Sequence, residues 1–235
     1  MRGGAIIFSR LSSKRLPEKA LVDISGRSLL GRVIDITKNI VGIDEIILAT
    51  STDPQDDKLE EIALHENIEV FRGSLNDVCL RSIKTCERFK LDYFVRICGD
   101  RPFFNAKLIS ELLLVFKKNL DIDLLTTSFP RTVPPGLTCE IIKIDALQKA
   151  YKNIKEEEDF EHLTSFFYKN KNDFNIKNYQ PNDLLDFDNI NLCVDNLDDL
   201  KRARWISNEM DKIKGSYDNI TTIISVAKKW KIFNK

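Results

Sequence analysis

The chain has 235 residues, 43% of them hydrophobic and 31% charged, and its 36 basic side chains are matched by 36 acidic ones. Balanced, well-mixed charge argues against a general binder of nucleic acid or of anionic membranes, since both need a surplus of lysine and arginine. No apolar run approaches the ~20 residues of a membrane helix, and Ala5-Ile6-Ile7-Phe8 before Arg10 is too short for a signal-peptide core. The expectation is a soluble, cytoplasmic protein large enough to bury a core without disulfides or a structural metal. Its five cysteines (Cys79, Cys86, Cys98, Cys139, Cys193) are odd in number and form no C-x-x-C pair. Reduced thiols acting as small core hydrophobes fit that pattern.

In chain order, residues 5–9 form a continuous apolar run that reads as a buried strand. Leu29, Leu30, Val33, Ile34, Thr37 and Ile40 then recur at helical spacing. A strand over 45–50, a helix over 56–65, a strand over 69–72 and a helix over 77–89 follow. After these come a strand over 93–98, a helix over 107–118 and a strand over 123–128. Strand, helix, strand at this cadence means parallel strands joined by crossover helices and buried on both faces. The remainder is less regular: a proline-rich loop over 130–136, a weakly alternating run over 137–144, and short strands over 174–179 and 190–194. Helices over 197–210 and 220–230 close the chain. The fold class is α/β, a mostly parallel sheet flanked by helices in one unit over 1–235, with an elaborated C-terminal third.

Open α/β sheets bind ligands beyond the carboxyl ends of their strands. The first such loop, Ser9-Arg10-Leu11-Ser12-Ser13-Lys14-Arg15-Leu16-Pro17-Glu18-Lys19, holds four cations and three hydroxyls in eleven residues. Arginine forks and serine hydroxyls suit the oxygens of a triphosphate; the plain alternative is a solvated basic turn. Neither G-x-x-x-x-G-K-[ST] nor G-x-G-x-x-G occurs there. Asp100 and Asp195 each follow a predicted strand at this same edge. Short carboxylates so placed can hold Mg²⁺ together with substrate phosphates, or can cap the helix that follows. The triplets Asp121-Ile122-Asp123 and Asp186-Phe187-Asp188 precede their strands and so fall at the wrong edge.

The run 5–24 resembles the opening of the sugar cytidylyltransferases, roughly A-[IV]-I-x-A-R-x-x-S-x-R-L-P-G-K-x-L-x-x-I. That family includes the 3-deoxy-manno-octulosonate and acylneuraminate enzymes, and the resemblance is strongest to the spore-coat polysaccharide branch. Further segments agree in order: Ala49-Thr50-Ser51-Thr52-Asp53-Pro54, Phe71-Arg72-Gly73-Ser74, Val95-Arg96-Ile97-Cys98-Gly99-Asp100-Arg101-Pro102, Pro135-Gly136-Leu137, Glu161-His162-Leu163-Thr164 and Cys193-Val194-Asp195. The resemblance implies a Rossmann-like, glycosyltransferase-A-type nucleotidyltransferase, with a nucleotide-binding half (1–128) and an acceptor-binding half (129–235). It implies Mg²⁺ on Asp100 and Asp195, CTP as a substrate with a small sugar-type acceptor, and a homodimer.

On this reading Arg10, Arg15 and Lys19 stabilise the triphosphate and the leaving pyrophosphate, with Ser12, Ser13 and Lys14 on the nucleotide. Arg72 and Asn76 are candidates for the base, although Asn76 or Asp77 can equally cap the helix that follows. Arg131, Glu140 and His162 are candidates for the acceptor. The chain departs from the pattern at Glu18, where the family has glycine, at Thr138 for aspartate, at Phe160 for arginine, and at Asn196-Leu197 for Thr-Pro. The expected reaction is transfer of CMP from CTP with release of pyrophosphate. The alternatives are a glycosyltransferase on a related fold and a nucleotide-binding relative that has lost its chemistry.

Overall fold

Strands buried on both faces need apolar side chains at nearly every position, and the run Gly3–Phe8, which is apolar throughout, pairs on both of its edges. The computed structural model describes residues 1–181 and 186–233. Its elements are β1 (Gly3–Phe8), a short hairpin of β2 (Asp23–Ile24) and β3 (Arg27–Ser28), α1 (Leu29–Thr37), β4 (Glu45–Ser51), α2 (Asp57–His65), β5 (Glu69–Gly73), α3 (Val78–Phe89), β6 (Tyr93–Cys98) and α4 (Ala106–Lys118). Then come β7 (Leu124–Thr126), β8 (Glu140–Lys143), α5 (Ile144–Tyr151), α6 (Glu157–Glu161), α7 (Ser165–Lys169), β9 (Ile176–Asn178), α8 (Leu197–Asp211) and α9 (Ile220–Phe233).

Seven strands form one sheet in the order β5-β4-β1-β6-β8-β7-β9. β1 pairs in parallel with both β4 and β6, and β4 with β5, whereas β8 runs antiparallel to both of its neighbours. The second half of the chain therefore inserts β8 between β6 and β7, so the two halves share one sheet. The expected strand over 190–194 joins no ladder. It is an extended segment held by two backbone bonds, Leu192 N–H to Pro135 O (2.8 Å) and Val194 N–H to Asp100 O (2.9 Å). Extended φ/ψ and apolar side chains look the same in sequence whether or not a neighbouring strand is present.

Alternation along the strands sorts the core into two layers. Ala5, Ile7, Leu48, Val95, Ile97 and Ile141 pack beneath α1, α2, α4, α8 and α9. Ile6, Ile47, Phe94, Leu124 and Ile142 pack beneath α3, α5 and α7. Strand order reverses at β1: the chain builds outward through β4 and β5 on one side, then returns to place β6 on the other. Carboxyl ends at such a switch point leave a crevice between two diverging loops. The fold thus fixes the site between the loop leaving Phe8 and the loop leaving Cys98, which pair in register.

Candidate active site

The two loops meet closely. Gly99 N–H donates to Phe8 O (2.9 Å), and a Cβ on Gly99 would stand 2.9 Å from that carbonyl oxygen and 3.0 Å from Ser9 Cβ. Glycine is needed there so that two backbones can touch. The basic loop is pinned from behind by Asp56, which is buried and accepts from Leu11 N–H (2.7 Å), Thr50 Oγ1 (2.9 Å) and Ser51 Oγ (2.5 Å). Burial alone would raise the Asp56 carboxyl, but these donors outweigh it and hold it below the ordinary carboxylate range.

Within the crevice, Lys19 Nζ lies 3.3 Å from Asp100 Oδ2 and 3.0 Å from Asp195 Oδ1, and Arg15 lies 3.1 Å from the same Asp195 oxygen. Burial pulls the Lys19 ammonium down, yet Asp100 and Asp195 overcome it and raise its pKa. Neither aspartate is a helix cap. Asn105 caps α4, and Asn196 caps α8 by accepting from the N–H groups of Asp198 and Asp199 at 3.0 Å each. Both carboxylates are therefore left for the crevice. The backbone bond from Val194 N–H to Asp100 O sets them side by side. Gly136 lets the 134–137 turn reach this segment: its φ is +94°, and a Cβ there would stand 2.6 Å from Leu192 Cβ.

A cleft of about 470 Å³ runs from these groups across the α3 side of the sheet. Arg10, Ser12, Ser13, Lys14, Arg15, Lys19, Asp100, Asp195 and His162 line it, and Arg10 reaches across it to Glu161 (2.6 Å). Glu18, where the family has glycine, adopts the left-handed φ of +50°. Its carboxylate leaves the cleft and pairs with Lys58 at 2.7 Å, so the loop keeps the glycine-like conformation and the cleft gains no extra negative charge. The two D-x-D triplets lie outside the cleft. Asp121 and Asp123 bind Asn175 (2.8 and 2.9 Å), and Asp186 binds Lys228.

Four residues expected at the site lie away from this cleft. Arg72 does not face the cleft; its guanidinium is taken up by Ser51 O, Asp53 O, Asp57 and Glu60 (2.7–3.0 Å), tying β5 to the region around α2. Asn76 is exposed and does not line the cleft, while its neighbour Asp77 caps α3 through Leu80 N–H (2.7 Å). Arg131 is exposed in the Ser128–Arg131 turn, outside the cleft. Glu140 is only 5% exposed and lies behind the cleft wall. There it accepts from Arg96 Nη1 (2.6 Å), Tyr168 Oη (2.7 Å) and Thr164 Oγ1 (2.8 Å). Burial would push Glu140 up, but Arg96 and these donors hold it below the carboxylate range.

Two residues that do line the cleft, Arg81 and Arg96, were missed. Arg81 falls within the helical period of 78–89 and Arg96 inside an otherwise apolar strand. The signal available was a charge in a strand that should be buried on both faces. Trp205 packs on Trp230 (5.6 Å between centroids), and Phe166 and Phe167 pack on Phe174. Cys79, Cys86 and Cys139 are buried and all five thiols are free.

A mostly parallel sheet with a cationic loop after its first strand, facing two carboxylates across the switch point, matches the Rossmann-like fold of the nucleotidyltransferases. The chain belongs to the cytidylyltransferase family, whose family model matches residues 4–198. It is 33% identical over 208 residues to the uncharacterized protein MJ1063 of Methanocaldococcus jannaschii (88% of this chain, 84% of that one). It is 28% identical to the spore coat polysaccharide biosynthesis protein SpsF of Bacillus subtilis over 63% of this chain and 65% of that one. With the 3-deoxy-manno-octulosonate cytidylyltransferase of Acinetobacter baumannii it shares 31% identity over 51% of this chain and 49% of that one. A solved cytidylyltransferase from Leptospira borgpetersenii superposes with a TM-score of 0.89 at 26% identity, covering 99% of this chain and 96% of that one. Among the described residues no helix is long and apolar enough to cross a membrane.

Proposed function

We propose that the protein transfers CMP from CTP to a sugar acid or a phosphorylated sugar or polyol, releasing pyrophosphate, as a step in surface polysaccharide or glycoconjugate synthesis. The observation that carries this reading is the single ammonium of Lys19 shared by Asp100 and Asp195 at the switch-point crevice, with Arg15 beside it.

In the reaction an acceptor oxygen forms a bond to the α-phosphorus and the bond from that phosphorus to the bridging oxygen breaks. The electron pair leaves with pyrophosphate, and the acceptor's proton passes to solvent. Such transfers need positioning and charge neutralisation more than covalent help. Arg10, Lys14, Arg15 and Lys19 supply cations to the phosphates, and the Ser12 and Ser13 hydroxyls supply hydrogen bonds. The donor set also suits a hard divalent cation. Two short carboxylates are present, and Asp100 Oδ1 is buried without a hydrogen-bond partner, while magnesium typically takes one or two carboxylates plus phosphates and water. Asp100 and Asp195 would hold Mg²⁺, which when bound neutralises charge on the triphosphate. A homodimer and a cytoplasmic location rest on the resemblance and the composition.

The test is a pyrophosphate-release assay over CTP, UTP, ATP and GTP against a panel of acidic sugars and sugar or polyol phosphates. CTP-dependent pyrophosphate release is expected. A nucleoside diphosphate released from a nucleotide sugar would replace this reading with a glycosyltransferase, and tight CTP binding without turnover would replace it with an inactive relative.

A further inference from the structure

Arg81 is an anomaly that the transferase reading leaves unused. It is 3% exposed, yet among the described residues no carboxylate lies within ion-pair distance of it. Its Nη1 donates to Ser74 O (2.8 Å), its guanidinium lies 5.9 Å from the centroid of the Phe8 ring, and its Nε is buried without a partner. Burial, with Arg10 nearby, lowers it to about 10 against the opposing pull of Asp56, Asp77 and Glu161, so it still carries its charge at neutral pH. Buried charges are normally paired, because an uncompensated one loses its hydration without recovering it.

Arg96 shows the same deficit more mildly. Glu140 satisfies Nη1, but Nε is buried without a partner and Nη2 makes no hydrogen bond among the described residues. In register, Phe8 pairs with Cys98 and Ile6 with Arg96, so Phe8, Cys98 and Arg96 project from the same face of adjacent strands. Arg81 lies over that face from α3, and both arginines line the one cleft. They differ from Arg15 and Lys19, which already have Asp100 and Asp195 as counter-charges.

We propose that Arg81 and Arg96 form a second anion subsite, which binds the carboxylate or phosphate of the acceptor, and that Glu140, held by Tyr168 and Thr164, is the positioning residue that orients Arg96. The proposal rests on the transferase reading and makes it more specific: an acceptor lacking a negative group is a poor substrate. Arginine's planar fork suits either a carboxylate or a phosphate, and the acceptor panel distinguishes the two.

The experiment compares wild type with Arg81→Gln, Arg96→Gln and Glu140→Gln, using the panel acceptor that turns over fastest. The acceptor KM should rise at least tenfold in the two arginine variants and less in Glu140→Gln, with the CTP KM changed less than twofold. A CTP KM that rises in parallel, or an unchanged acceptor KM, overturns the assignment. Arg81→Gln leaves no buried carboxylate behind, so it remains informative if Arg96→Gln does not fold. If no acceptor turns over, the transferase reading fails separately. The subsite is then tested by thermal shift with inorganic phosphate against chloride at equal ionic strength. Stabilisation in wild type that both arginine variants lose supports it; no stabilisation in wild type, or an equal shift in all three proteins, refutes it.

Discussion

Two ion-pair groups, one at the mouth of the cleft and one behind its wall, differ in how they meet water. At the mouth, Lys19, Asp100 and Asp195 each keep 21–29% of their side-chain surface exposed, and Arg15 keeps 69%. Behind the wall, Glu140 keeps 6% and is surrounded by donors that are themselves partly buried. Half-solvated pairs are worth little to the fold and can exchange partners when a ligand brings competing charge. A buried pair cannot, because removing one member strands the other in a low-dielectric interior. The mouth is therefore suited to chemistry and the wall to keeping one arginine in place.

The largest expected effect separates the two groups directly. Asp100→Ala should lower turnover on the order of 10³-fold with the thermal midpoint almost unchanged. Turnover near wild type would remove Asp100 from the reaction. At the wall the order reverses: Glu140→Leu should cost about 3–5 kcal/mol of stability, since Arg96 is left uncompensated. Urea denaturation checks this, and a loss under about 1 kcal/mol would show that the wall is not a buried pair at all.

Acid should sharpen the same contrast. Glu140 and Asp56 are both held below their ordinary values. Their stabilisation is complete above the unfolded-state carboxylate range and is lost as pH falls through their depressed folded values. Wild type should therefore lose stability on the acid side of about pH 4.5, and Glu140→Gln should flatten that decline. The smallest effect belongs to the loop. Glu18→Gly should change stability by no more than about 1 kcal/mol, because relief at φ +50° is offset by loss of an exposed pair with Lys58. A calorimetric comparison measures it, and unchanged CTP turnover would confirm that the side chain faces away from the reaction.

Much of the site could be read locally. The basic loop follows a run that is apolar at every position, so its place at a strand's carboxyl end needed only the strand. Asp100 was found by the same logic. Asp195 comes to the same crevice, although the segment before it is extended but unpaired in any ladder and not the expected strand. Arg72, Arg131 and Glu140 lie away from the cleft, because a charged side chain beside a motif looks the same in sequence whether it faces a ligand, solvent or a neighbouring element. Arg72 turned toward Asp57 and Glu60, and Glu140 turned inward toward Arg96. The helices α5, α6 and α7 and the β2–β3 hairpin escaped notice because short elements carry too few periodic positions to stand out from loop sequence.

By itself the sequence determined the alternation of buried strands and amphipathic helices, and with it the edge of the sheet where ligands bind, because burial on both faces of a strand leaves a pattern in consecutive residues. Only the tertiary structure decided which charges meet. Asp195 reaches Asp100 through a backbone bond between segments nearly a hundred residues apart in sequence, and Arg81 and Arg96 come to one wall from a helix and a strand. Pairing depends on distance and solvent exclusion after folding, and neither is encoded in the spacing of residues along the chain.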